Sequence, residues 1–467
     1  MNESGCTVRF SYIHRSPDTN SAKNMKKSVL LFVLYLLQTT IVCAESDSLA
    51  YLFKLSDDKR FTPTWCDAEN APVSSRAVQV QVITSQTRFT AETGFGYDLL
   101  PSPEKGKSQP YYFSVQVPDG NYRVVVTLGS RKAEGNTTVR AESRRLMLEN
   151  VHTRKGEFKQ FAFIINKRSP QINEKESVHI KPREKNKLNW DEKLTLEING
   201  TNPQCASIQI EPIHDVPTIF LCGNSTVVDQ DEEPWASWGQ MIPRFFNDKV
   251  SVANYAESGE SATSFVVEGR LKKILSTLKA GDFLLMEFGH NDQKLKGPGV
   301  GAFYSFATCL KTYIDEVRQR GATPILVTPA QRRSFKGNRI VDTHADYPDA
   351  IRWLAECEQV TLIDLHKITR SLFESMGPEG SKNAFVHYPA HTYPGQDKPL
   401  ADNTHFNPYG AYQIAQCIVE EIRRQQLPLV KFLRSDVPHY NPLSPTLPEV
   451  FLWIESPFID LQKPDGN

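Results

Sequence analysis

Three residues between the middle of the chain and its C-terminal region have the types and spacing that acyl-transfer chemistry requires. Ser225 follows a short apolar run, and a serine hydroxyl on a turn after a buried strand can attack a carbonyl carbon. Asp402 and His405 stand three residues apart at a predicted loop-to-helix junction. The carboxylate can therefore hold the imidazole Nδ1–H while Nε2 faces the serine. We predict that these three residues form a catalytic triad.

Two further residues could stabilise the negative charge that develops on the carbonyl oxygen. The backbone N–H groups of Ser225 and Gly259, with the side-chain amide of Asn291, can surround this oxyanion. Simpler roles are also open: Ser225 could cap a helix, Gly259 could only permit a positive φ, and Asn291 could belong to a turn. Ser258 and Ser261 have no base placed for them, so we do not expect either to be the nucleophile.

The elements that must position these residues alternate between strand and helix from Val216 onward. Apolar runs typical of strands buried on both faces lie at Pro217–Cys222, Val250–Tyr255, Asp282–Phe288, Pro324–Thr328 and Val360–Leu365. Helical apolar spacing separates them, and a last helix is predicted from Pro408 to Arg424. The pattern predicts an α/β catalytic domain at 213–430 with a doubly wound parallel sheet, followed by a proline-rich tail at 431–467.

Residues 45–212 are typical of a separate β-rich module. Its predicted strands are Ala77–Ile83, Tyr111–Val117, Asn121–Leu128, Asn136–Ala141, Phe158–Ile165, Lys193–Ile198 and Ala206–Pro212. Short strands broken by turns predict a β-sandwich, either a galactose-binding-like or carbohydrate-binding module or a structural spacer. Tyr97, Tyr111 and Tyr112 could contact sugar there, or could simply pack.

Four segments carry a resemblance to a known family. They are GNSTV at 223–227, NYAESGES at 254–261, EFGHNDQ at 287–293 and DNTHFNPYGA at 402–411. Together they resemble the SGNH (GDSL) hydrolase superfamily over about residues 216–430, and most closely its rhamnogalacturonan acetylesterases. The resemblance implies a flavodoxin-like sheet, with Ser225, Gly259, Asn291 and His405 as the four hallmark residues.

The resemblance also implies a function and contains one departure. It implies a carbohydrate esterase that hydrolyses O-acetyl groups from pectic polysaccharide (rhamnogalacturonan) through a serine acyl-enzyme, without a cofactor. The usual GDS of the family is GNS here, and Asn224 can still organise the turn through a local hydrogen bond. Deacetylation of another glycan (xylan or sialic acid) and a non-catalytic carbohydrate-binding role remain open. A lipid substrate is less favoured, because no long apolar stretch indicates a lipid groove.

The charge balance bears on the partner. Lys and Arg total 54, as do Asp and Glu, so the net charge of zero gives no reason to expect nucleic acid or an anionic membrane. Pectic backbones carry a galacturonate carboxylate, and a cleft for them should hold fixed cations. Arg332 and Arg333 follow the predicted strand Pro324–Thr328, where they could bind that carboxylate or form surface ion pairs. We expect a monomer that acts on acetylated plant polysaccharide.

The N-terminus predicts export. Met25-Lys26-Lys27 opens a basic region, Ser28–Val42 is apolar, and small residues near Ala44 suit signal-peptidase cleavage. A signal at 25–44 needs no residues before it, so residues 1–24 are predicted to be a non-native upstream extension. We expect a secreted or periplasmic protein with no membrane span after cleavage.

We expect no metal site from the sequence. His387 and His391 have the spacing of metal ligands on a helix, yet Pro389 between them disfavours a helix. The six cysteines of the predicted mature chain form no CxxC pair, which argues against a zinc site of that type. Disulfide pairing stays open at this level.

Overall fold

The computed structural model describes residues 50–66, 79–104 and 107–465 of the chain. The part from Ala50 onward forms one compact unit. The predicted signal at 25–44 and the extension at 1–24 lie outside the described residues. Residues 77 and 78 of the first predicted strand, Ala77–Ile83, also lie outside them, and the rest of that segment contains a strand at Val80–Val82. The proposed division of the chain at residues 212 and 430 stays a prediction.

The N-terminal half of the described chain contains two sheets packed face to face. Their strands are β1 (Tyr51–Lys54), β2 (Val80–Val82), β3 (Phe95–Asp98), β4 (Tyr111–Gln116), β5 (Gly120–Gly129), β6 (Gly135–Ala141), β7 (Arg145–Thr153), β8 (Phe158–Lys167), β9 (Lys193–Asn202) and β10 (Cys205–Pro212). One sheet has the order β2-β1-β10-β5-β8 and the other β3-β4-β9-β6-β7. All neighbours are antiparallel except β1 and β2. The predicted β-sandwich is confirmed.

Alternating side chains supply the core between these two sheets. Val124 and Val126 of β5 meet Phe113 of β4 there, and all three are fully buried. Tyr97 and Tyr111 belong to the same core, and Tyr112 is buried against Phe458. The three tyrosines pack in the fold instead of presenting their rings to solvent.

The C-terminal half is built on a parallel sheet. Its strands are β11 (Thr218–Gly223), β12 (Ser251–Asn254), β13 (Phe283–Glu287), β14 (Thr323–Val327) and β17 (Thr361–Ile363). Their order is β12-β11-β13-β14-β17, all parallel, which is the flavodoxin-like order predicted from the sequence. The strand order reverses beside β11, so the crevice for a ligand lies at the end of that strand.

Helices and two short hairpins surround the parallel sheet. The helices are α1 (Trp238–Met241), α2 (Ala262–Val267), α3 (Arg270–Thr277), α4 (Ala307–Gln319), α5 (Tyr347–Glu358), α6 (Leu365–Gly380) and α7 (Pro408–Arg424). The hairpins pair β15 (Phe335–Lys336) with β16 (Arg339–Ile340), and β18 (Phe385–Tyr388) with β19 (Leu400–Phe406). Separate apolar clusters cover the two faces of the sheet, so its strands are buried on both sides.

Buried ion pairs join the sandwich half to the parallel-sheet half. Arg145 Nε lies 3.1 Å from Asp229 Oδ2, and Arg144 Nη2 lies 2.5 Å from Glu233 Oε1. Glu184, between β8 and β9, accepts a hydrogen bond of 3.0 Å from Arg270 Nη1 at the start of α3. Each of these side chains is almost fully excluded from solvent. The two halves are therefore connected by charge as well as by apolar packing.

The C-terminal segment packs against both halves instead of lying on the surface throughout. Ser456 is buried, and its Oγ donates to Glu197 Oε2 of β9 at 2.7 Å. Farther along, the carbonyl oxygen of Asp460 accepts a hydrogen bond of 2.8 Å from Trp235 Nε1. Lys463 then reaches Asp402, whose carboxylate lies 3.3 Å from the ammonium.

Two further properties concern the described residues alone. The cysteines among them, at positions 66, 205, 222, 309, 357 and 417, are all free thiols. No helix in the part that the structure describes is both long enough and apolar enough to cross a membrane.

Candidate active site

Ser225 stands on a tight turn at the end of β11. Asn224 Oδ1 accepts hydrogen bonds from the N–H of Thr226 (3.1 Å) and from its hydroxyl (2.9 Å). The Gln230 amide and the Ser237 hydroxyl donate to the carbonyl of Ser225 itself. Asn224 thus shapes the turn that carries the serine, in the role that the sequence analysis expected of it.

Direct hydrogen bonds join the three predicted triad residues. His405 Nε2 lies 2.9 Å from Ser225 Oγ, and His405 Nδ1 lies 2.9 Å from Asp402 Oδ2. Asp402 and His405 lie on β19, one strand of a hairpin, whereas the sequence analysis expected a loop-to-helix junction. Because Asp402 Oδ1 also accepts the N–H groups of Thr404 (2.6 Å) and His405 (2.8 Å), the carboxylate and the imidazole are held side by side.

The environment of Asp402 keeps it ionised. Burial alone would raise its pKa, but the hydrogen bonds from the His405 ring and from two backbone N–H groups lower it well below the usual range. The ammonium of Lys463 lies beside Oδ2. The edge of the Trp235 ring packs against the imidazole of His405, with 5.8 Å between the ring centroids. The anion, the imidazole and the hydroxyl therefore form an ordered, water-poor chain.

The predicted oxyanion residues follow the two strands that flank β11. Gly259, after β12, has a φ of +82°, a conformation that a glycine adopts without strain. Asn291, after β13, donates one amide hydrogen to the carbonyl of Glu260 at 2.9 Å and accepts the Lys294 ammonium on Oδ1 at 3.1 Å. The second amide hydrogen of Asn291 takes no part in the bond to Glu260. The two loops are thus tied to each other beside Ser225.

Ser258 and Ser261, which were not expected to be the nucleophile, have structural roles. The Ser261 hydroxyl caps α2 by accepting the N–H of Ser264 at 3.1 Å. The carbonyl of Ser258 accepts Lys181 Nζ at 2.9 Å and the Arg183 guanidinium. Among the described residues, no imidazole hydrogen-bonds to either serine hydroxyl.

Two sets of residues that support the site were not predicted from the sequence. Glu287, the last residue of β13, is fully buried and accepts hydrogen bonds from the Thr226 hydroxyl (2.8 Å) and the Trp238 indole (2.5 Å). Burial raises its pKa to about 7. Its place just before the GHND segment is a local signal that could have revealed it. Lys181 and Arg183, from the sandwich half, had no such signal because they lie more than seventy residues from Ser258.

The two predicted arginines lie at the same edge of the sheet. Arg332 Nη2 donates to the carbonyl of His290 at 3.1 Å, and burial lowers the pKa of its guanidinium to about 10. Arg333 Nη1 donates to Asn403 Oδ1 at 2.9 Å. Within the described chain, no carboxylate lies at ion-pair distance from either arginine. His387 contacts the same Asn403 oxygen at 2.9 Å.

Comparisons with known proteins identify relatives of the C-terminal half. The sequence profile of the GDSL-like Lipase/Acylhydrolase family matches residues 221–412. A rhamnogalacturonan acetylesterase of Bacillus subtilis, RhgT, is 42% identical over 220 residues, which span 46% of this chain and 94% of that protein. A rhamnogalacturonan acetylesterase of Emericella nidulans is 26% identical over 239 residues, 46% of this chain and 89% of that protein.

One solved structure covers more of the chain. The crystal structure of YxiM from Bacillus subtilis aligns with 81% of this chain and 99% of its own length, with 24% sequence identity and a TM-score of 0.43.

Proposed function

Because the chain belongs to the GDSL-like lipase/acylhydrolase family and is a carboxylic ester hydrolase, we propose that it removes O-acetyl groups from a pectic polysaccharide of the rhamnogalacturonan type. The observation that carries the proposal is the hydrogen-bonded chain from Ser225 through His405 to Asp402. The names of two relatives, both rhamnogalacturonan acetylesterases, support the choice of polymer.

The proposed reaction has two steps. His405 Nε2 takes the proton of Ser225 as Oγ attacks the acetyl carbonyl, and the N–H groups of Ser225 and Gly259 with the Asn291 amide stabilise the oxyanion. The C–O bond to the sugar then breaks, and His405 returns the proton to the leaving sugar hydroxyl. In the second step His405 deprotonates a water that attacks the acetyl-serine; the bond from the acetyl carbon to Ser225 Oγ then breaks, His405 returns the proton to Oγ, and acetate leaves. Asp402 holds the imidazole in one tautomer throughout and stabilises its protonated form.

Cations beside the triad support an anionic substrate. Lys463 contacts Asp402, Lys294 contacts Asn291, and Arg332 contacts the carbonyl of His290, the residue before Asn291. Burial and the nearby charges of Arg332 and Lys463 lower the pKa of Lys294 to about 8, so its ammonium is mostly protonated at neutral pH. Fixed cations of this kind suit the carboxylate of a galacturonate unit.

The test is acetate release from a panel of native polysaccharides, measured beside a small neutral ester such as 4-nitrophenyl acetate. Ser225→Ala should abolish turnover on every substrate. Arg332→Ala should weaken deacetylation of rhamnogalacturonan far more than hydrolysis of the neutral ester. Arg339→Ala is the matched control, because Arg339 is exposed and pairs with Glu374 away from the site.

The results separate two conclusions. Turnover by a folded Ser225→Ala protein would remove the proposed nucleophile. Equal losses on both substrates with Arg332→Ala, or none on either, would leave the esterase intact and favour a neutral glycan instead. Raised salt should likewise reduce activity on the charged polymer more than on the small ester.

Export, the monomeric state and sugar binding by the sandwich half also remain to be tested. Cleavage near Ala44 means that secreted protein should begin at about Glu45 on N-terminal sequencing. Light scattering should give the mass of a monomer. Binding of the sandwich half to polysaccharide stays a fold-level analogy.

A further inference from the structure

A cluster of potential metal ligands lies outside the ester chemistry. Asp342 and His344 come from the connection between β16 and α5, and His366 is the second residue of α6. Both imidazoles are almost fully buried, whereas the Asp342 side chain is 39% exposed. A small ion could thus reach the cluster from solvent on the aspartate side. No step of the proposed reaction uses these three residues.

The donor atoms converge at coordination spacing. His366 Nε2 lies 3.3 Å from Asp342 Oδ2, and His344 Nδ1 lies 3.8 Å from Asp342 Oδ1. One donor atom from each of the three residues can be chosen so that all lie within 4.8 Å of one another. Ligands at 2.0–2.2 Å from a tetrahedral ion stand about 3.3 Å apart, so small side-chain rotations would close the site.

The hydrogen bonds of His344 leave the lone pair of Nδ1, the nitrogen that faces Asp342, available to a metal ion. His344 Nε2 lies 3.1 Å from His290 Nδ1, and His290 Nε2 lies 3.7 Å from the buried Glu287 carboxylate. If the His290 Nε2–H faces Glu287, His290 Nδ1 must accept the Nε2–H of His344. The lone pair of His344 Nδ1 then faces Asp342. That nitrogen is buried and has no hydrogen-bond partner among the described residues.

His366 also directs one ring nitrogen, Nε2, toward Asp342. Its Nε2 is buried and also lacks a hydrogen-bond partner within the described ranges, and its Nδ1 lies 3.3 Å from the side-chain amide of Gln331 and 3.5 Å from Arg352 Nη2. The oxygen of that amide is buried without a partner in the described structure as well. If the amide is turned by half, its Oε1 accepts the Nδ1–H, and the Arg352 guanidinium, which is paired with Asp364 and Asp349, must move away from the ring. The lone pair of His366 Nε2 then faces the cluster, the arrangement that metal-binding histidines adopt.

We propose that Asp342, His344 and His366 bind a divalent transition-metal ion with the ligand preferences of Zn²⁺. Two imidazole nitrogens and one carboxylate oxygen are a donor set that this class of ion favours. Besides Arg352, an opposing feature is Arg370, whose Nη2 lies 3.6 Å from Asp342 Oδ2 and competes for the negative charge of that carboxylate. The guanidinium is partly exposed and can withdraw when the ion binds.

The ion would have a structural role. It would tie the connection that carries Asp342 and His344 to the start of α6, and through His344 it would fix His290, the neighbour of Asn291. Two residues that sequence spacing cannot bring together, His344 and His366, meet here because β14 and β17 are adjacent in the sheet. The test therefore reads binding and stability, and does not depend on the esterase substrate.

The experiment is calorimetric titration of the chelator-treated full chain with Zn²⁺, and with Co²⁺ to record the absorption that imidazole ligation gives. One equivalent should bind, and Zn²⁺ should raise the melting temperature. Asp342→Asn and His366→Gln should each weaken binding by more than about a hundredfold, since losing a ligand costs more than losing a supporting hydrogen bond. Arg370→Gln should tighten binding because it removes the competing charge.

His439→Gln is the matched control, because His439 is exposed and its ring contacts Glu420, which does not belong to the cluster. It should bind Zn²⁺ as the unaltered protein does. Asp342→Asn changes a partly exposed side chain without altering its size, so its circular dichroism should be unchanged. Absence of stoichiometric binding to the folded unaltered chain, or equal affinity in Asp342→Asn and His439→Gln, would overturn the proposal.

Discussion

Asp402→Asn should inactivate the enzyme while leaving its fold unchanged. An asparagine can still accept the N–H groups of Thr404 and His405 on Oδ1, but it presents an NH₂ group to His405 Nδ1. The ring must then accept at Nδ1 and carry its proton on Nε2, which cannot take the proton of Ser225. The carboxylate charge that would stabilise the imidazolium is also lost. At 2.9 Å and an effective dielectric constant of 20, the attraction between the carboxylate and the imidazolium is about 6 kcal/mol.

That free energy corresponds to a decrease in kcat of about ten-thousandfold. The assay is hydrolysis of 4-nitrophenyl acetate, with kcat and KM determined separately and melting temperatures recorded. Lys463→Met is the matched control: it removes the other contact of Asp402 Oδ2 but keeps the tautomer, and Lys463 is half exposed. It should change kcat less than about tenfold, as expected of an exposed pair. An Asp402→Asn enzyme with more than a tenth of the original kcat would refute the assigned role.

Three further outcomes can be checked on purified protein. Asn291→Ala should lower kcat by about a hundredfold to a thousandfold with little change in KM; an effect on KM alone would make Asn291 a binding residue. Gly259→Ala should lower both the melting temperature and kcat, because φ is +82° and a Cβ would lie 3.3 Å from Asp465; unchanged melting and turnover would contradict this. Glu287→Gln should flatten the dependence of stability on pH. Because burial raises the Glu287 pKa to about 7, its stabilising effect is complete below about pH 4.5 and is lost as the pH rises through 7. The unaltered protein should lose about 3 kcal/mol relative to the variant over this range, measured by urea unfolding; parallel profiles would refute it.

The sequence was sufficient to predict that the residues following the parallel strands lie close together. Ser225, Gly259 and Asn291 each come directly after an apolar run, and the carboxyl ends of parallel strands share one edge of the sheet. The apolar runs alone therefore predicted that the three residues lie at the same edge of the sheet. The final helix was also predicted with its observed bounds, because its apolar spacing is regular and Asn407 caps it.

The remaining features depend on contacts between distant segments. β7 was not predicted, because Asn150 interrupts its alternation with a φ of +46°. The pairing of β19 with β18 and the contact of Lys463 with Asp402 join segments that have no shared periodicity. Whether Arg332 would face a carboxylate or a carbonyl could not be read from its position in the chain, since it depends on where the loop holding His290 lies.

The buried ion pairs between the two halves make the sandwich part of the thermodynamic unit of the esterase. If residues before Val216 were deleted, Asp229, Glu233 and Arg270 would each lose a buried partner of opposite charge. Removing one member of such a pair typically costs about 3–5 kcal/mol, and a domain has only about 5–15 kcal/mol of net stability. Calorimetry of the intact chain should therefore give one melting transition shared by both halves, and the parallel-sheet half expressed alone should be a poor starting point for engineering a smaller enzyme.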